Sequence, residues 1–468
     1  MSVDKDEKGE TAEKGEKGEK GDRDDEETPR GGRAPGWIPA LLGVVYGLAT
    51  TGTSALAVSL PQVSGEFDIS ASGAAWAISV YTVMLAVATP LHGRLADAYG
   101  LRVPLIVGVV TMSVGAVAAA LAPSFPLLLV ARIVQGFGGA SIAVLTTALL
   151  SALWEGPARG AALGRVTGVG ATFSALGPLI GGALENLGGW RLAVTMPALG
   201  LLALPCLARL APSGGSGNRI DRTGALLVAT AASGLVLLLQ SPSSGAVTGV
   251  IGAVLLASGA PAVVAWVRAR PQGFLPRPVV TNPVVLRSAF AASAIPASWF
   301  ALLVGVPSVA AGWGWTPLET GLLMLPAAVV GLVAPSFCRK ALAKLGARLA
   351  ITVACTLAML ALLVAAAGAA MDSAPVLAVG VALTTVSFAM GQPAMMSAVS
   401  EAVDAADRGV AIGIATLVSF TGASVGASLV GGLGGVASLS TVFLVLTALP
   451  VLGLTVLLLA GRRRAALA

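Results

Sequence analysis

Runs of about twenty apolar residues recur along the chain, and short polar segments separate them. An α-helix needs about 20 residues to cross the hydrocarbon core of a bilayer, and it satisfies its own backbone hydrogen bonds there. The pattern predicts an all-α integral membrane protein with fourteen transmembrane helices, which we number as spans 1 to 14. The predicted spans are 37–60, 73–93, 103–122, 126–152, 160–186, 190–209, 223–241, 247–267, 284–310, 318–337, 349–370, 374–399, 409–432 and 437–461.

The basic residues between the spans are distributed asymmetrically. With the amino terminus placed inside, nineteen Lys and Arg residues fall in inner gaps or at the carboxyl terminus, and Arg191 alone falls in an outer gap. Cytoplasmic loops of membrane proteins carry such an excess of basic residues. The sequence therefore predicts a multi-pass protein of the cell inner (plasma) membrane with both termini in the cytoplasm.

Composition supports a lipid bilayer as the environment and argues against nucleic acid as a partner. Hydrophobic residues make up 56% of the chain and charged residues 11%, against about 25% charged in soluble domains. The low-complexity tract at 1–36 holds 12 acidic and 8 basic residues, and we expect it to be a disordered cytoplasmic tail. The rest has 21 basic and 11 acidic residues, an excess that suits loops facing an anionic leaflet.

The spans divide into two groups of six with two extra helices between them. Residues 37–210 form a predicted N-terminal six-helix bundle and 284–461 a C-terminal one, while 211–283 is a linker with the two extra spans. A basic cytoplasmic tail follows at 462–468. The gap GRLADAYGLR at 93–102 corresponds to the gap RKALAKLGAR at 339–348. Many secondary transporters consist of two such related halves, with the substrate site between them.

The gap at 93–102 carries the first recognisable motif. Its glycines permit a tight backbone path, and an aspartate can lie against a helix amino terminus or an arginine. The pattern resembles the signature of the major facilitator superfamily, G-x-L-A-D-x-x-G-x-[RK]. In that family the loop helps to latch the two halves together on the cytoplasmic side. The resemblance assigns this gating role to Gly93, Asp97, Gly100 and Arg102. We expect the start of span 13, near Arg408, as the partner; the corresponding gap has Ala343 in place of the aspartate.

Span 4 contains an arginine about two turns from its start. Such a charge is costly in a membrane helix unless it faces a cavity or a partner, so Arg132 is a functional candidate, with Gln135 on nearly the same face. The stretch from Arg132 to Gly138 resembles the superfamily's second signature, R-x-x-Q-G-x-G, which is associated with proton-coupled members. Arg132, Gln135 and Gly136 are therefore predicted to belong to the substrate or proton pathway. A structural arginine, bonded to backbone carbonyls, remains an alternative.

Span 5 is rich in glycine and contains a proline. Small residues spaced four apart allow close helix packing, and proline favours a kink. The stretch resembles the antiporter signature of the superfamily's exporters, although Phe173 replaces one of its glycines. With fourteen spans, the chain resembles the drug:proton antiporter branch, of the kind found in actinobacterial antibiotic or multidrug efflux proteins. The residues that carry the match are Gly164, Gly177, Pro178, Gly181 and Gly182.

Acidic residues set a limit to this resemblance. Members of the branch commonly carry a carboxylate in span 1, at the position that Gly52 occupies here. Glu185 and Glu319, near the outer ends of spans 5 and 10, are the available candidates for a proton pathway, although a plain helix-end carboxylate is the commoner explanation for each taken singly. With an arginine and no central acid, the cavity favours a neutral or anionic amphiphile. Aromatic residues (Trp299, Phe300 and Phe420) and the region of Gln392 and its neighbouring methionines are candidates for its wall.

The function predicted from these residues is proton-driven export of a small organic molecule, such as an antibiotic, drug or secondary metabolite, by alternating access. The proton gradient would be the energy source, without a cofactor or metal, and the protein is expected to act as a monomer. Two alternatives stay open: a non-transporting sensor or scaffold on a degenerate transporter fold, and a uniporter or importer. An enzyme is not expected, because the sequence contains no metal cluster, nucleophile elbow or phosphate loop.

Overall fold

A computed structural model describes residues 35–154, 156–215, 221–403 and 408–465. Within these ranges the secondary structure is helical, with no β-strand. The predicted tail at 1–36 therefore lies almost entirely outside the described residues. In chain order the helices are α1 (Ile38–Val58), α2 (Leu60–Glu66), α3 (Ala71–Ala74), α4 (Trp76–Tyr99), α5 (Arg102–Ala120), α6 (Phe125–Leu153), α7 (Gly156–Thr195), a 3₁₀ helix (Met196–Ala203), α8 (Leu204–Leu210), α9 (Arg222–Ser244), α10 (Ala246–Ala269), α11 (Arg277–Val280), α12 (Pro283–Gly312), α13 (Pro317–Leu323), α14 (Leu325–Ala370), α15 (Ala374–Glu401), α16 (Arg408–Gly434), α17 (Leu439–Leu446) and α18 (Ala448–Ala465).

The number of membrane-spanning helices agrees with the prediction. Thirteen helical stretches of the described residues are long and apolar enough to cross a membrane. One of them, Leu176–Leu210, contains two spans, because the backbone of α7 leaves helical geometry at Gly188 and Gly189. Gly189 has a φ of +71°, a value that glycine adopts without strain. Counted on both sides of this break, the described chain has fourteen spans, and the predicted all-α membrane fold is confirmed.

A second break separates spans 10 and 11 inside α14. The sequence predicts a gap at 338–348, but the structure is helical on both sides of Gly346, whose φ is +73°. The alanines, leucines and lysines of this stretch are strong helix formers, so the chain leaves helical geometry only at the glycine. In the same way α18 continues to Ala465, through the start of the predicted basic tail.

Close backbone contacts hold the helices of each six-helix group together. In the first group α1 packs against α7, and α6 packs against α4 and α5. Gly115 and Gly138 lie against the backbone of Gln135 and Met112 respectively, where a Cβ would overlap. In the second group α12 packs against α16, with Gly426 against the backbone of Ala297, while α14 packs against α15. Contacts of this closeness need glycine, which explains its frequency in these helices.

Two large apolar clusters lie at opposite ends of the bundle, and one of them joins the two groups. One cluster joins residues of both groups, among them Leu56, Ile78, Leu303 and Phe443, all near the span ends that the sequence places outside. A second cluster, with Ile351, lies within the second group at the opposite, predicted inner end. The two groups are thus packed together at the predicted outer end.

The two extra helices form a hairpin beside the bundle. α9 and α10 pack on each other through Gly234, Gly252 and Gly259, which approach the backbone of the partner helix. α9 also contacts α4 from the first group and α16 from the second. The hairpin therefore lies over a seam between the two groups.

Candidate transport site

Arg132 is the largest buried charged residue of the described chain and lies on α6. Its Nε donates to the carbonyl of Ala77 at 3.0 Å, and Nη1 donates to Oε1 of Gln135 at 2.6 Å. Nη2 donates to Oγ1 of Thr53 at 3.3 Å. The guanidinium carbon lies 4.2 Å from the ring centre of Tyr81. Residues from α1, α4 and α6 therefore share one buried network, in which every partner of the guanidinium is neutral.

The charge of this network is not balanced by a carboxylate of the described residues. The ion pair recorded within these ranges joins Arg191 to Glu66, away from Arg132. A buried guanidinium without a counter-ion is costly, and its hydrogen bonds and the Tyr81 ring offset only part of that cost. The network is thus suited to interaction with a group that supplies electron density, such as a carbonyl or a carboxylate of a solute.

Gln135 has an unused hydrogen-bond donor. Its Oε1 accepts from Arg132, whereas its Nε2 is buried without a hydrogen-bond partner in the described structure. The ideal Cβ position at Gly52 is 3.6 Å from this Nε2, and the same position overlaps the ring of Pro197. Gly136 lies next in the chain, and a Cβ there would meet the backbone of Tyr81. The position of Gly52, where the family resemblance leads us to expect an acid, is therefore adjacent to the network, and the ring of Pro197 occupies the space beside it.

The glycines of span 5 contact two different neighbours. Gly177 and Gly181 face α1, where a Cβ would overlap Ser54 and Ala55. Gly182 faces Pro317 at the start of α13, in the other six-helix group. In turn, Gly321 of α13 packs against the backbone of Pro178. A Cβ added at Gly321 would lie 2.8 Å from the carbonyl oxygen of Pro178. Gly164 lies nearer the start of α7.

Pro178 does not break its helix. The non-helical backbone angles in α7 are those of Gly188 and Gly189, ten or more residues later. The break in helical geometry lies where two glycines remove the Cβ restraint, and the kink at Pro178 stays a prediction. The proline carbonyl instead forms part of the contact with Gly321.

The loop with the first motif is fastened to the segment that follows span 6. Gly100 ends α4 with a φ of +78° and forms a bridge with Ser213. The backbone N–H of Arg102 donates to the carbonyl of Pro212 at 3.2 Å. Gly93 is in α4, with Val144 of α6 as its neighbour. The side chain of Asp97 is outside the described atoms, so its predicted partnership with span 13 stays a hypothesis.

The two candidate carboxylates have different surroundings. Glu319 is exposed and forms a capping box: its Oε2 accepts from the N–H of Thr316 at 2.7 Å, and Thr316 Oγ1 accepts from the Glu319 N–H. This arrangement stabilises the start of α13 and explains the residue without proton transfer. Glu185 is half-buried and accepts a hydrogen bond from Ser59, the residue that ends α1. No described contact joins either carboxylate to Arg132.

The sequence does not predict a polar cluster at the outer end of the first group. Glu66 accepts from Trp190 Nε1 at 2.5 Å and from Arg191 Nη2 at 2.6 Å, and Arg191 also donates to the carbonyls of Ala120 and Ala122. Burial raises the pKa of Glu66, but the hydrogen bonds from Trp190 and Arg191 and the Arg191 charge outweigh it and lower that pKa. The feature of the sequence that could have indicated this cluster is Arg191, the one basic residue assigned to an outer gap.

The predicted cavity wall is only partly available to a solute. Met390 and Met395 are buried in the apolar cluster of the second group. Methionine is often found in protein cores, and here it belongs to the core and not to a cavity wall. Trp299 lies 5.8 Å from Phe388 between ring centres. Gln392 donates to Ser419 at 2.9 Å, which joins α15 to α16.

Comparison with known proteins identifies the family. A sequence model described as Major Facilitator Superfamily matches residues 42–427 and, separately, 289–467. The chain belongs to this superfamily. The Multidrug resistance protein Stp of Mycobacterium tuberculosis is 30% identical over 386 residues, which cover 80% of this chain and 71% of that protein. The Uncharacterized MFS-type transporter EfpA of the same species is 32% identical over 240 residues, covering 48% of this chain and 45% of that protein.

Solved structures of other transporters share the fold. A POT family transporter in complex with a thioalcohol-conjugated peptide superposes with a TM-score of 0.67 at 14% identity, covering 90% of this chain and 95% of that one. The xylose transporter XylE of Escherichia coli gives a TM-score of 0.62 at 12% identity, with 89% and 95% covered. The protein is a multi-pass membrane transporter of the superfamily and not an enzyme.

Proposed function

We propose that this member of the superfamily exports a small organic molecule across the plasma membrane by exchange for protons. The names of its relatives support export: besides the multidrug resistance protein, the Efflux pump dotC of Dothistroma septosporum is 33% identical over 144 residues, covering 31% of this chain and 25% of that protein. The glycine-rich match to the antiporter signature in span 5 supports the same direction.

The observation that carries the proposal is the buried Arg132 network. A charge at membrane depth is retained in transporters because it lies on a substrate or ion pathway. In this chain the guanidinium lies between α1, α4 and α6, and Gln135 Nε2 is a free donor beside it. The guanidinium of Arg132 and the amide of Gln135 are hydrogen-bond donors without a neighbouring acid, and they favour a neutral or anionic amphiphile as cargo. In this proposal one protein molecule binds the cargo without a cofactor.

The packing of the two groups supports alternating access. The predicted outer end is closed by the contact of Gly182 and Gly321 with the facing helices, and by Ser428 Oγ, which donates to Ser79 Oγ at 3.2 Å. In our proposal the groups rock apart at this end to release cargo, and Asp97 stabilises the conformer closed to the cytoplasm. Packed interfaces between rigid groups of helices can switch between two discrete arrangements, here closed and open at the outer end.

Glu185 is the carboxylate that we assign to proton coupling. It is bonded to Ser59, six residues beyond Thr53, so the path along α1 to the Arg132 network is about 9 Å. Water molecules would have to bridge this distance. Protonation of Glu185 from the outside would then accompany cargo release.

The test is transport by the full chain in proteoliposomes with an imposed pH gradient. The substrates are fluorescent amphiphiles that are neutral, anionic or cationic and otherwise similar in size. We expect gradient-dependent transport of the neutral and anionic compounds. Arg132→Ala should lower it about tenfold or more, equivalent to about 1.4 kcal/mol, and Arg132→Lys should recover little because an ammonium cannot reproduce the planar donor geometry.

Arg348→Ala is the matched control, since Arg348 also donates to a backbone carbonyl, that of Leu457, but lies outside the network. It should transport like the wild type. Equal loss in Arg348→Ala and Arg132→Ala would contradict the role of the network. A sensor would move none of the compounds, whatever the gradient. A uniporter or importer would show unchanged or lower accumulation of cargo in cells when the proton gradient is dissipated.

A further inference from the structure

An apolar crevice of about 450 Å³ lies between the α9–α10 hairpin and the helices α12, α16 and α18. Its volume is in the range of about 300 to 1,000 Å³ that small-molecule sites occupy. The hydroxyls of Ser293 and Thr421 line it, but they donate to the carbonyls of Phe290 and Leu417 within their own helices. The remaining lining is aliphatic or aromatic side chains and glycine. The crevice therefore suits a hydrocarbon group.

The crevice lies at the depth of the lipid hydrocarbon. Ser293 and Ala297 are 10 and 14 residues from the inner end of α12, about 15 to 21 Å along the helix axis. Ala232 of α9 and Ala260 of α10 lie about 14 to 15 Å from the inner ends of their helices. The hydrocarbon core is about 30 Å thick. The molecules that surround the crevice are therefore lipid acyl chains.

A narrower apolar pocket continues from the crevice towards the inner end. The two share Val228, Val263 and Leu275, and the second is also lined by Trp266 and Phe274. Tryptophan is typical of the membrane–water interface. This second pocket is small, about 10 Å³, so the crevice ends at its inner side against the interfacial residue Trp266.

The residues at the inner end of this second pocket carry positive charge. Arg270 lies over the Trp266 ring, 5.0 Å from its centre. The nearby Asp221 is engaged, since it accepts from Gly224 N, Trp266 Nε1 and Phe274 N. Burial raises the pKa of Asp221, but these hydrogen bonds and the Arg270 charge outweigh it, so its pKa is lowered. The inner ends of α9 to α12 carry these exposed or half-exposed arginines: Arg222, Arg268, Arg270, Arg277 and Arg287.

We propose that this crevice binds one acyl chain of an anionic phospholipid from the inner leaflet, with the phosphate of its headgroup beside Arg270. Basic clusters at the inner ends of membrane helices attract anionic lipids. The bound chain fills the space behind the hairpin and contacts α16, one of the helices at the seam between the two groups. None of the lining helices carries a residue of the Arg132 network, so the proposal does not depend on the proposed cargo.

The test is native mass spectrometry of the delipidated full chain in detergent, titrated with phosphatidylglycerol or with phosphatidylcholine of the same acyl chains. The wild type should retain one phosphatidylglycerol more tightly than phosphatidylcholine. Ala260→Trp fills the crevice and should weaken phosphatidylglycerol binding about tenfold. The matched control is Val254→Trp, on the opposite face of α10 from Val263 and 59% exposed, which should bind like the wild type. Arg270→Gln should still bind lipid but without the preference for phosphatidylglycerol.

Ala232→Leu is the second filling variant, with a smaller side chain, if Ala260→Trp lowers thermal stability in detergent. Equal binding by the filling variants and Val254→Trp would overturn the assignment of the chain to the crevice. Equal affinity of the wild type for the two lipids, or an unchanged preference in Arg270→Gln, would overturn the assignment of the headgroup.

Discussion

Gly52 determines the charge of the Arg132 network. Its ideal Cβ position overlaps Pro197 and approaches Gln135 Nε2, so no larger side chain fits there without a shift of the helix that carries the proline. An acid at this position would lie beside Gln135, which is itself bonded to Arg132. With glycine at this position, the site has one unpaired donor, Gln135 Nε2, and no carboxylate among its described partners. This is the physical basis of the proposed preference for neutral or anionic cargo.

Gly52→Asp is predicted to separate two effects, packing and charge. Alone it should lower stability by about 1 to 3 kcal/mol through overpacking against Pro197. Combined with Pro197→Ala it should regain most of that stability and place a carboxylate beside Gln135. The double variant should then transport cationic amphiphiles better than the wild type, as measured by competition in proteoliposomes and by thermal unfolding in detergent. Pro197→Ala alone is the control, and a double variant with unchanged charge preference would contradict this account of the site.

At the scale of the helix, two adjacent glycines in span 5 serve different interfaces. Gly181 packs on α1 within its own six-helix group, whereas Gly182 packs on Pro317 in the other group. In the proposed alternating-access cycle the first contact stays within one group, and the second breaks when the groups move apart. One turn of helix would then combine a structural contact and a gate.

Gly182→Ala is predicted to destabilise the conformer that is closed at the outer end. The added Cβ would overlap the carbonyl of Pro317, so the population should shift towards the open conformer. The reporter is Thr320→Cys, a position 3% exposed in the closed seam, in a chain whose three native cysteines are replaced by alanine. Its labelling by a membrane-impermeant maleimide should increase several-fold.

The control for this experiment is Gly312→Ala, because a Cβ at Gly312 would meet nothing within 4 Å. It should leave the labelling rate unchanged. Equal labelling in both variants would show that the contact between Gly182 and Pro317 does not hold the outer end closed.

At the scale of the whole molecule, the two six-helix groups meet at the predicted outer end and along α4 and α16, where a smaller apolar cluster holds Ala86 and Leu417. The larger apolar cluster joins the groups at the predicted outer end, and the cluster at the inner end belongs to the second group. The α9–α10 hairpin bridges α4 and α16 at the side. The orientation of this arrangement in the membrane rests on the distribution of Lys and Arg.

Both ends of the chain are predicted to face the cytoplasm, because nineteen basic residues lie on that side of the spans. Fusion of a fluorescent protein to either end should give fluorescent cells, and fusion of alkaline phosphatase to either end should be inactive. A phosphatase fused within the gap after span 5, near Gly189, should be active. Opposite results at the two ends would contradict an even number of spans, and with it the two-group architecture.

The breaks between helices were predictable only in part. Gly100 and Gly189 both lie where the sequence predicts a short gap, since glycine alone adopts these backbone angles readily. The sequence also predicts a kink at Pro178, where the backbone angles stay helical, and a long gap at 338–348, where only Gly346 interrupts α14. Local composition marks a glycine or proline, but the neighbouring helices determine whether the chain turns there.

The sequence by itself determined the fold class and the number of spans, and it singled out Arg132 as a charge within a span, because lipid imposes length, apolarity and charge cost on each helix separately. It also located the glycines through which span 5 packs. Only the tertiary structure decided the partners: Thr53, Ala77 and Tyr81 around the guanidinium, Pro197 against Gly52, and the capping role of Glu319. These pairings depend on which face each helix presents to its neighbours. In a bundle where almost every face is apolar, that choice is made by close packing between distant segments, which no single segment encodes.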